Sequence, residues 1–462
     1  MISATAQSRH RVVEEARALG RLAAPIALAQ FALMAMSLVD TAVLGRVSKI
    51  DLAAAALGRN IGFASQTLSM GLAMALEPIA SQAVGAGDPE RAWRALVATL
   101  RTIAIAWPLT VLAALAATLA LPSIGVAPEV VSRTRWFLVV WAPGLFAFPC
   151  FIAAKTYLQA NTRTRPAVVA AIVANVVNVV ACSLLVRGDD ALAAIGLRPI
   201  GLPRLGAIGS GFALDIAGGL LAAMVLRAAW AVRPAQLDRG PAIASREIVR
   251  MGLPVGAQML AEVGVFASVS VLTGHFGSAV VSANQIALGA ASFTFMGALG
   301  VSGATAVRVG HAVGRADRAG ARRSGLTGIA LGAAVMGVGA IVFATGPEAV
   351  VRLFTHDPEI VALGAALVRV AAVFQLFDGM QCVGAGALRG AGDVRFAFAG
   401  GVVSYWVVGL PLALLFGIAR GGGAVGMWWG LSASLITAAA IFLVRFVVLT
   451  RGPLFRAATA LD

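Results

Sequence analysis

Long apolar stretches alternate with short polar and charged segments along the whole chain. About 20 apolar residues are enough for one helix to cross the hydrocarbon core of a bilayer. No stretch shows the strict alternation of a barrel strand, and a helix satisfies its own backbone hydrogen bonds in lipid. The pattern therefore predicts an all-α integral membrane protein. Twelve transmembrane helices are expected, at 22–44, 52–83, 95–120, 135–160, 167–187, 206–232, 252–274, 280–307, 325–345, 358–388, 396–417 and 424–449.

The charge distribution gives a predicted orientation. Apolar residues make up 59% of the 462 residues and charged residues 12%, and the net charge is +15. If the N-terminus is cytoplasmic, the inner segments hold 25 Lys and Arg residues and the outer loops hold 9. This bias is typical of a bacterial inner-membrane protein with both termini in the cytoplasm, and it explains the positive charge without a nucleic-acid partner. Arg59 and Arg369 lie inside spans, and we expect both to extend to the outer interface.

An internal repeat divides the chain into two halves. At an offset of 229, Pro25 aligns with Pro254 and SQAVGAGD (81–88) aligns with GHAVGRAD (310–317). LQANTRTR (158–165) matches LRGAGDVR (388–395) at an offset of 230. Because this offset covers an even number of spans, both halves enter the membrane in the same direction. The repeat predicts two parallel six-helix repeats with pseudo-two-fold symmetry about the membrane normal, which is a plan typical of alternating-access transporters.

The repeat also predicts the domain boundaries and the oligomeric state. A two-lobed chain is self-sufficient as a monomer, with membrane lipid around it. The expected segments are a cytoplasmic lead-in at 1–21, an N-terminal lobe at 22–232, a cytoplasmic connector at 233–250, a C-terminal lobe at 251–450 and a cytoplasmic tail at 451–462.

Acidic residues inside the spans are the first functional candidates, because each one costs a few kcal/mol to insert. Glu262 lies twelve residues from Arg250, and Asp378 lies eleven from Arg389. At about 1.5 Å per residue, both lie roughly 16–18 Å from the inner surface, close to the midplane. Such a pair can bind a monovalent cation or share a proton. Separate hydrogen bonding of each acid within the bundle is the alternative.

Other polar residues in the spans allow more than one interpretation. Asp40 lies in the outer half of the first span, and Asn175 and Asn178 share a helix face. Amides near an acid can coordinate Na⁺ or orient a proton, and interhelical hydrogen bonding fits them equally well. Glu77 precedes Pro78, so a structural role fits it as well as a transport role. Asp215 can pair with a polar neighbour.

The sequence contains no sign of an enzyme or of a cofactor. Cys150, Cys182 and Cys382 lie within apolar spans without metal-ligand spacing. No histidine pairs with a cysteine or carboxylate at ligand spacing, and no nucleophile–base pair or phosphate loop is present. We therefore expect no enzymatic activity, no metal site and no cofactor apart from a coupling ion.

Four segments closely resemble the MATE family (multidrug and toxic compound extrusion), in particular its NorM-like bacterial branch. The resemblance runs from about residue 18 to residue 450. It implies a secondary active transporter that exports organic cations and amphipathic drugs in exchange for Na⁺ or H⁺. The segments are LAQFALMAMSLVDTAVLGR (28–46), SANQIALGAASFTF (282–295), AVRVGHAVGR (306–315) and FQLFDGMQCVGAGALRGAGDVR (374–395).

The resemblance also implies roles for individual residues. Glu262 and Asp378 match the cation-site acids of the seventh and tenth spans. Asp40 and Asn178 match an acid of the first span and its partner in the fifth. Apart from the resemblance, further candidates for a polar cavity are Asn175, Asp215, Glu77 and Gln285. The chain departs from the family pattern at several places, which favours Glu262 and Asp378 over the first-lobe site; the departures are Cys182, Leu214, Asn284 and Phe374.

A flippase for lipid-linked intermediates is the alternative function, since it shares the two-lobed helical architecture. It requires several cationic residues facing the cavity to hold a pyrophosphate. The charges predicted near the midplane are acidic, which favours drug export. Because carboxylates bind both Na⁺ and H⁺, both coupling ions remain open.

Overall fold

The structure is a computed structural model that describes residues 2–194, 196–235 and 243–452, with side chains from residue 10 onward. Within these ranges the chain forms helices and no β-strand, so the predicted all-helical fold class is confirmed. Parts of the predicted lead-in, connector and tail lie outside the described residues: residue 1, residues 236–242 and residues 453–462. Two of the predicted inner cations, Arg239 and Arg456, also lie outside the described residues.

The chain divides into two compact units. The first unit comprises residues 31–76 and 89–256, and the second comprises residues 1–30, 77–88 and 257–462. The boundary therefore falls inside α1 (Ile2–Gly45) and inside α10 (Ser245–Thr273). The lobes predicted at 22–232 and 251–450 begin and end between whole spans, whereas the two units are defined by contacts between residues. The predicted lobe boundaries stay a prediction.

The first unit consists of helices joined by short turns. A longer segment runs from Arg187, at the end of one long helix, to Gly206, at the start of the next. Its helices, besides its parts of α1 and α10, are α2 (Lys49–Met74), α4 (Pro89–Ala117), α5 (Pro128–Val140), α6 (Ala142–Ala160), α7 (Arg165–Arg187), α8 (Asp189–Ala193) and α9 (Gly206–Ala231). In its core α9 packs against both α6 and α7.

The second unit is built around one central helix. α14 (Pro358–Gly390) packs against α11 (Ser278–Gly314), α12 (Arg318–Thr345) and α17 (Gly423–Leu449). The unit also contains α3 (Leu76–Gly85) from Glu77 onward, α13 (Pro347–Arg352), α15 (Val394–Val402) and α16 (Leu410–Leu414). Two π-helical segments, Val403–Gly409 and Leu415–Ala419, flank α16.

The number of apolar spans is lower than predicted. Ten described helices are long and apolar enough to cross a membrane, and the bent pair α5 and α6 makes an eleventh. The predicted span 52–83 corresponds to α2 and α3, which break at Ala75. Arg59, Asn60 and Gln66 lower the hydropathy of α2, which explains why it is not among the apolar spans. Pro78 cannot donate a helical hydrogen bond, which favours the break. A single apolar run therefore does not form there.

The described part of the segment between α7 and α9 is organised by one carboxylate. The backbone amides of Ile200, Gly201 and Leu202 donate to Asp189 at 3.0–3.1 Å. These hydrogen bonds, the one from Leu202 foremost, hold the pKa of Asp189 below its usual value. Arg204 pairs with Asp190 in the same segment.

Small residues bring α14 close to α11 in the second unit. Gly386 and Gly390 lie four residues apart and face the backbone of Ser302 and Ala306. A Cβ atom at position 390 would overlap the carbonyl oxygen of Ala306 and lie 2.9 Å from its Cα. Glycines at this spacing allow helix backbones to approach in a membrane. The close approach fixes α14, on which the candidate site lies.

We expect Gly390→Ala to destabilise the protein by about 1–3 kcal/mol, because an added methyl group has no space at this crossing. Gly337→Ala on α12 is the matched control, because nothing lies within 4 Å of a Cβ atom there. Thermal unfolding of the detergent-solubilised protein measures both. Equal melting temperatures for the two variants would contradict this account of the packing.

Candidate functional site

The structure brings Glu262 and Asp378 together through a glutamine. The side-chain amide of Gln381 donates to Glu262 Oε1 at 3.1 Å and to Asp378 Oδ1 at 3.2 Å. Gln381 lies one turn after Asp378 on α14, so the two side chains share a helix face. Asp378 and Gln381 are buried, and Glu262 on α10 is half-buried. We call Glu262 and Asp378 the acid pair.

Tyr405 determines which way the glutamine points. Its hydroxyl donates to Gln381 Oε1 at 3.0 Å, and the tyrosine is fully buried. Because the amide oxygen accepts this bond, the NH₂ group of Gln381 faces the two carboxylates. The acid pair is thus held by a neutral donor.

The π-helical segment Val403–Gly409 also contacts α10 at the residue next to Glu262. Trp406 Nε1 donates to the carbonyl oxygen of Ala261 at 3.0 Å, next to Glu262 on α10. A π-helical turn shifts the register of the side chains that follow it, and such turns are frequent at functional sites. Here the segment places Tyr405 against Gln381 and Trp406 against α10.

Aromatic side chains pack next to the acid pair. Phe374 lies one turn before Asp378, with ring centroids 5.4 Å from Trp428 and 5.8 Å from Phe266. Trp428 Nε1 donates to Asn284 Oδ1 at 2.9 Å. Two of the departures from the family pattern, Asn284 and Phe374, are therefore parts of one buried layer.

No arginine or lysine forms a salt bridge with the acid pair within the described part of the chain. Two carboxylates in an apolar interior repel each other when both are ionised, so a proton or a small cation between them lowers the energy. An amide donor offsets part of the cost but adds no positive charge. This arrangement suits an exchangeable cation.

Glu77, in contrast, has a fixed partner in the same unit. Arg389 Nε donates to Glu77 Oε2 at 2.8 Å, and the two side chains are only 11% and 8% exposed. Arg389 Nη2 also approaches Ser302 Oγ at 3.4 Å. This closed ion pair fits the structural interpretation of Glu77.

Asp40 lies in the first unit and accepts hydrogen bonds from three side chains. Arg59 Nη1 donates to Oδ2 at 3.1 Å, Ser210 Oγ donates to Oδ2 at 2.5 Å, and Cys182 Sγ donates to Oδ1 at 3.0 Å. The expectation that Arg59 extends to the outer interface is wrong. A buried carboxylate on the neighbouring helix offers a closer partner than water does.

The two asparagines on α7 have different surroundings. Asn175 Nδ2 donates to the carbonyl oxygens of Ala32 at 2.7 Å and Ala171 at 2.8 Å, which is the interhelical alternative. Asn178 is fully buried, and neither of its polar side-chain atoms has a hydrogen-bond partner among the described residues. It therefore makes no hydrogen bond to Asp40.

Asp215 lies in the first unit and Gln285 in the second. Asp215, on α9, is half-buried, and its Oδ1 atom has no hydrogen-bond partner among the described residues. Gln285 is exposed, whereas its neighbour Asn284 is buried. Asn284 is thus the one of these two amides that faces the packed interior of its unit.

Two functional candidates were missed in the sequence, Gln381 and Tyr405. A signal existed for Gln381, since it follows Asp378 by one helical turn. Tyr405 is one of only two tyrosines in the chain. A buried tyrosine hydroxyl usually needs a hydrogen-bond partner, but the sequence does not indicate which one.

Comparison with known proteins adds a family and a set of relatives. The family model MatE matches residues 25–184 and 254–415. The two matches begin at Pro25 and Pro254, the residues aligned by the offset of 229. A probable multidrug resistance protein NorM from Pseudomonas putida is 35% identical over 442 residues, 92% of each chain. The multidrug resistance protein NorM of Aliivibrio fischeri is 31% identical and covers 96% of this chain and 97% of its own.

Solved structures share the fold. The eukaryotic MATE transporter AtDTX14 has a TM-score of 0.84 at 19% identity, with 97% of this chain and 98% of that chain covered. A MOP superfamily transporter from Pyrococcus furiosus has a TM-score of 0.82 at 19% identity, covering 95% of this chain and 96% of that one. At this identity the likeness supports the two-lobed helical fold alone.

The Glu77–Arg389 pair yields a prediction about stability. We expect Glu77→Gln to cost about 3–5 kcal/mol, because it leaves the Arg389 guanidinium buried without its counter-ion. The double variant E77Q/R389Q should recover most of this loss, since no unpaired charge remains. Thermal unfolding in detergent measures both variants. A double variant less stable than E77Q would contradict the structural interpretation.

Proposed function

Because this chain belongs to the MatE family, it is a transporter and not an enzyme, and we propose that it exports cationic or amphipathic drugs in exchange for Na⁺ or H⁺. Its curated relatives are named multidrug resistance proteins, which supports drugs as the substrate class. The chain is a multi-pass bacterial membrane protein. The positive-inside bias supports the inner membrane, with both termini in the cytoplasm.

The acid pair is the observation that carries the proposal. Glu262 and Asp378 are held by the same amide, at 3.1 and 3.2 Å, and the partner that holds them is neutral. A charge left uncompensated in a membrane interior is costly, so the pair favours binding of a cation. A proton, Na⁺ or a cationic drug can each supply that positive charge, which makes them competitors for the same acids.

Competition of this kind is one of two requirements for antiport. An ion entering from outside neutralises Glu262 and Asp378 and lowers their attraction for the drug, which leaves outward. A drug arriving from inside favours the ionised acids and displaces the ion inward. Alternating access then requires that the lobes change conformation only when one of the two is bound. Each positive charge that moves inward also gains about 2.3 kcal/mol per 100 mV of membrane potential, and each one that moves outward costs the same amount.

Gln381 and Tyr405 keep the acids in place through this cycle. The glutamine NH₂ group donates to both carboxylates, at 3.1 and 3.2 Å. The hydroxyl of Tyr405 prevents the amide from turning its oxygen toward the acids, where it would repel them. We therefore assign Gln381 and Tyr405 as positioning residues for the ion site.

The flippase alternative receives no support from the buried arginines. A pyrophosphate site needs free cationic groups, but Arg59 is paired with Asp40 and Arg389 with Glu77. We further propose that the chain acts as a monomer in lipid, with lobes at 22–232 and 251–450 joined at 233–250. It needs no cofactor other than the coupling ion.

The decisive test uses proteoliposomes loaded with a fluorescent cation. We expect Glu262→Gln and Asp378→Asn each to abolish ion-driven efflux, because either change removes one of the two charges that attract the cation. Na⁺ and pH gradients are imposed separately, so the same assay identifies the coupling ion. Glu348→Gln is the matched control, because this acid is exposed and pairs only within one helical turn. Normal efflux by both site variants would exclude this assignment.

Tyr405→Phe tests the positioning role. Loss of one hydrogen bond is worth about 0.5–1.5 kcal/mol, so the ion concentration for half-maximal efflux should rise about 2- to 10-fold. The maximal rate should change little, because both carboxylates remain. A variant that loses maximal rate at unchanged ion affinity would contradict a role through Gln381.

A further inference from the structure

Side chains of the protein occupy most of the hydrogen-bond acceptor positions of the Asp40 carboxylate. It is fully buried on α1 and accepts hydrogen bonds from Arg59 on α2, Cys182 on α7 and Ser210 on α9. A carboxylate offers about four acceptor positions, so three protein donors leave little room for a ligand from solution. One of the three donors carries a full positive charge.

Arg59 is held in this position by a second contact. Its Nη2 atom donates to Thr41 Oγ1 at 3.1 Å, and the Thr41 hydroxyl donates to the carbonyl oxygen of Ser37 at 3.0 Å. The guanidinium therefore binds two adjacent residues of α1. An arginine cannot lose its proton in a protein, so the charge on it is permanent.

Asn178 is an unused polar group on the same side of α7. It lies one turn before Cys182, which contacts Asp40, and the two share a helix face. Asn178 is fully buried, and both of its polar atoms lack a hydrogen-bond partner among the described residues. Burying an amide without partners is costly, so its retention needs an explanation. Amide and carboxylate oxygens together are ligands that suit a small cation.

We propose that Arg59 is a built-in cation that occupies the site an exchangeable cation would take at Asp40, with Ser210 and Asn178 as the remaining oxygen ligands. The acid pair then carries the only exchangeable ion of the cycle, and one coupling ion binds per chain. Arg59 is thus a residue that determines ion stoichiometry. The predicted number of coupling ions per cycle rests on the proposed function. The predicted absence of a cation site at Asp40 does not.

Cation binding to the purified protein tests the proposal directly. The starting variant is E262Q/D378N, which lacks the acid pair and should bind neither Na⁺ nor a proton in the first unit. Adding Arg59→Gln should create one cation site per chain, and adding Asp40→Asn to that variant should remove it. Equilibrium dialysis with radioactive Na⁺ and proton uptake recorded with a pH indicator measure the stoichiometry.

Two control variants separate charge removal from general damage. Arg59→Lys keeps a positive charge near Asp40 and should create no site. Arg369→Gln removes the other arginine identified inside a predicted span, which is exposed on α14, and should also create none. A site that appears in E262Q/D378N with Arg59 intact and disappears with D40N would overturn the proposal. So would the absence of a new site after Arg59→Gln.

A second measurement applies if Arg59→Gln does not fold. In R59Q/D40N both charges are removed, so no unpaired charge is left. This variant should keep ion-driven efflux with the wild-type number of ions per drug, measured from the reversal potential in proteoliposomes. A changed ratio would overturn the proposal. Absence of ion-driven efflux in the wild type would instead contradict the proposed function, and the binding experiment would still decide the role of Arg59.

Discussion

The cost of placing an ionised side chain in an apolar interior is the constraint on which this molecule depends. Four buried carboxylates offset this cost by forming a salt bridge with an arginine: Glu15 with Arg308, Asp40 with Arg59, Asp51 with Arg133 and Glu77 with Arg389. The acid pair offsets part of this cost with hydrogen bonds from a shared amide, which carries no charge. Under the proposed function, this difference separates acids that hold helices together from acids that release and rebind a cation.

The two units use this difference unequally. In the first unit Asp40 accepts from three side chains on three other helices, and one of them is cationic. The repeat offset of 229 places Val269 and Leu288 at the positions of Asp40 and Arg59, so the second unit has neither partner. The second unit instead places its acids on α10 and α14 and adds the π-helical segment that carries Tyr405. Repetition of the fold therefore does not imply repetition of the chemistry.

Much of the fold could be predicted from the sequence, because apolar runs and the positive-inside bias are local patterns. Pro78 indicates a kink in the span predicted at 52–83, and α2 and α3 break three residues before it, at Ala75. Glu262 and Asp378 were paired by their depth in the membrane, which is a one-dimensional quantity. The partners Arg59 and Tyr405 were not foreseen, because they depend on which helices are neighbours and on a π-helical register that composition does not encode.

If the acid pair carries the only coupling ion, as we propose, this limits the energy available for export. A single exchangeable cation limits the work available for each drug to one ion gradient plus one charge moved through the membrane potential, about 2.3 kcal/mol per 100 mV. If the drug is itself a monovalent cation, the two charges cancel and the potential contributes nothing. Export is then driven by the ion gradient alone. If the drug is neutral, the potential contributes fully. With one exchangeable cation per cycle, the charge of the substrate therefore determines whether the membrane potential contributes to its export. A neutral drug can be exported against a steeper concentration gradient than a monovalent cationic drug.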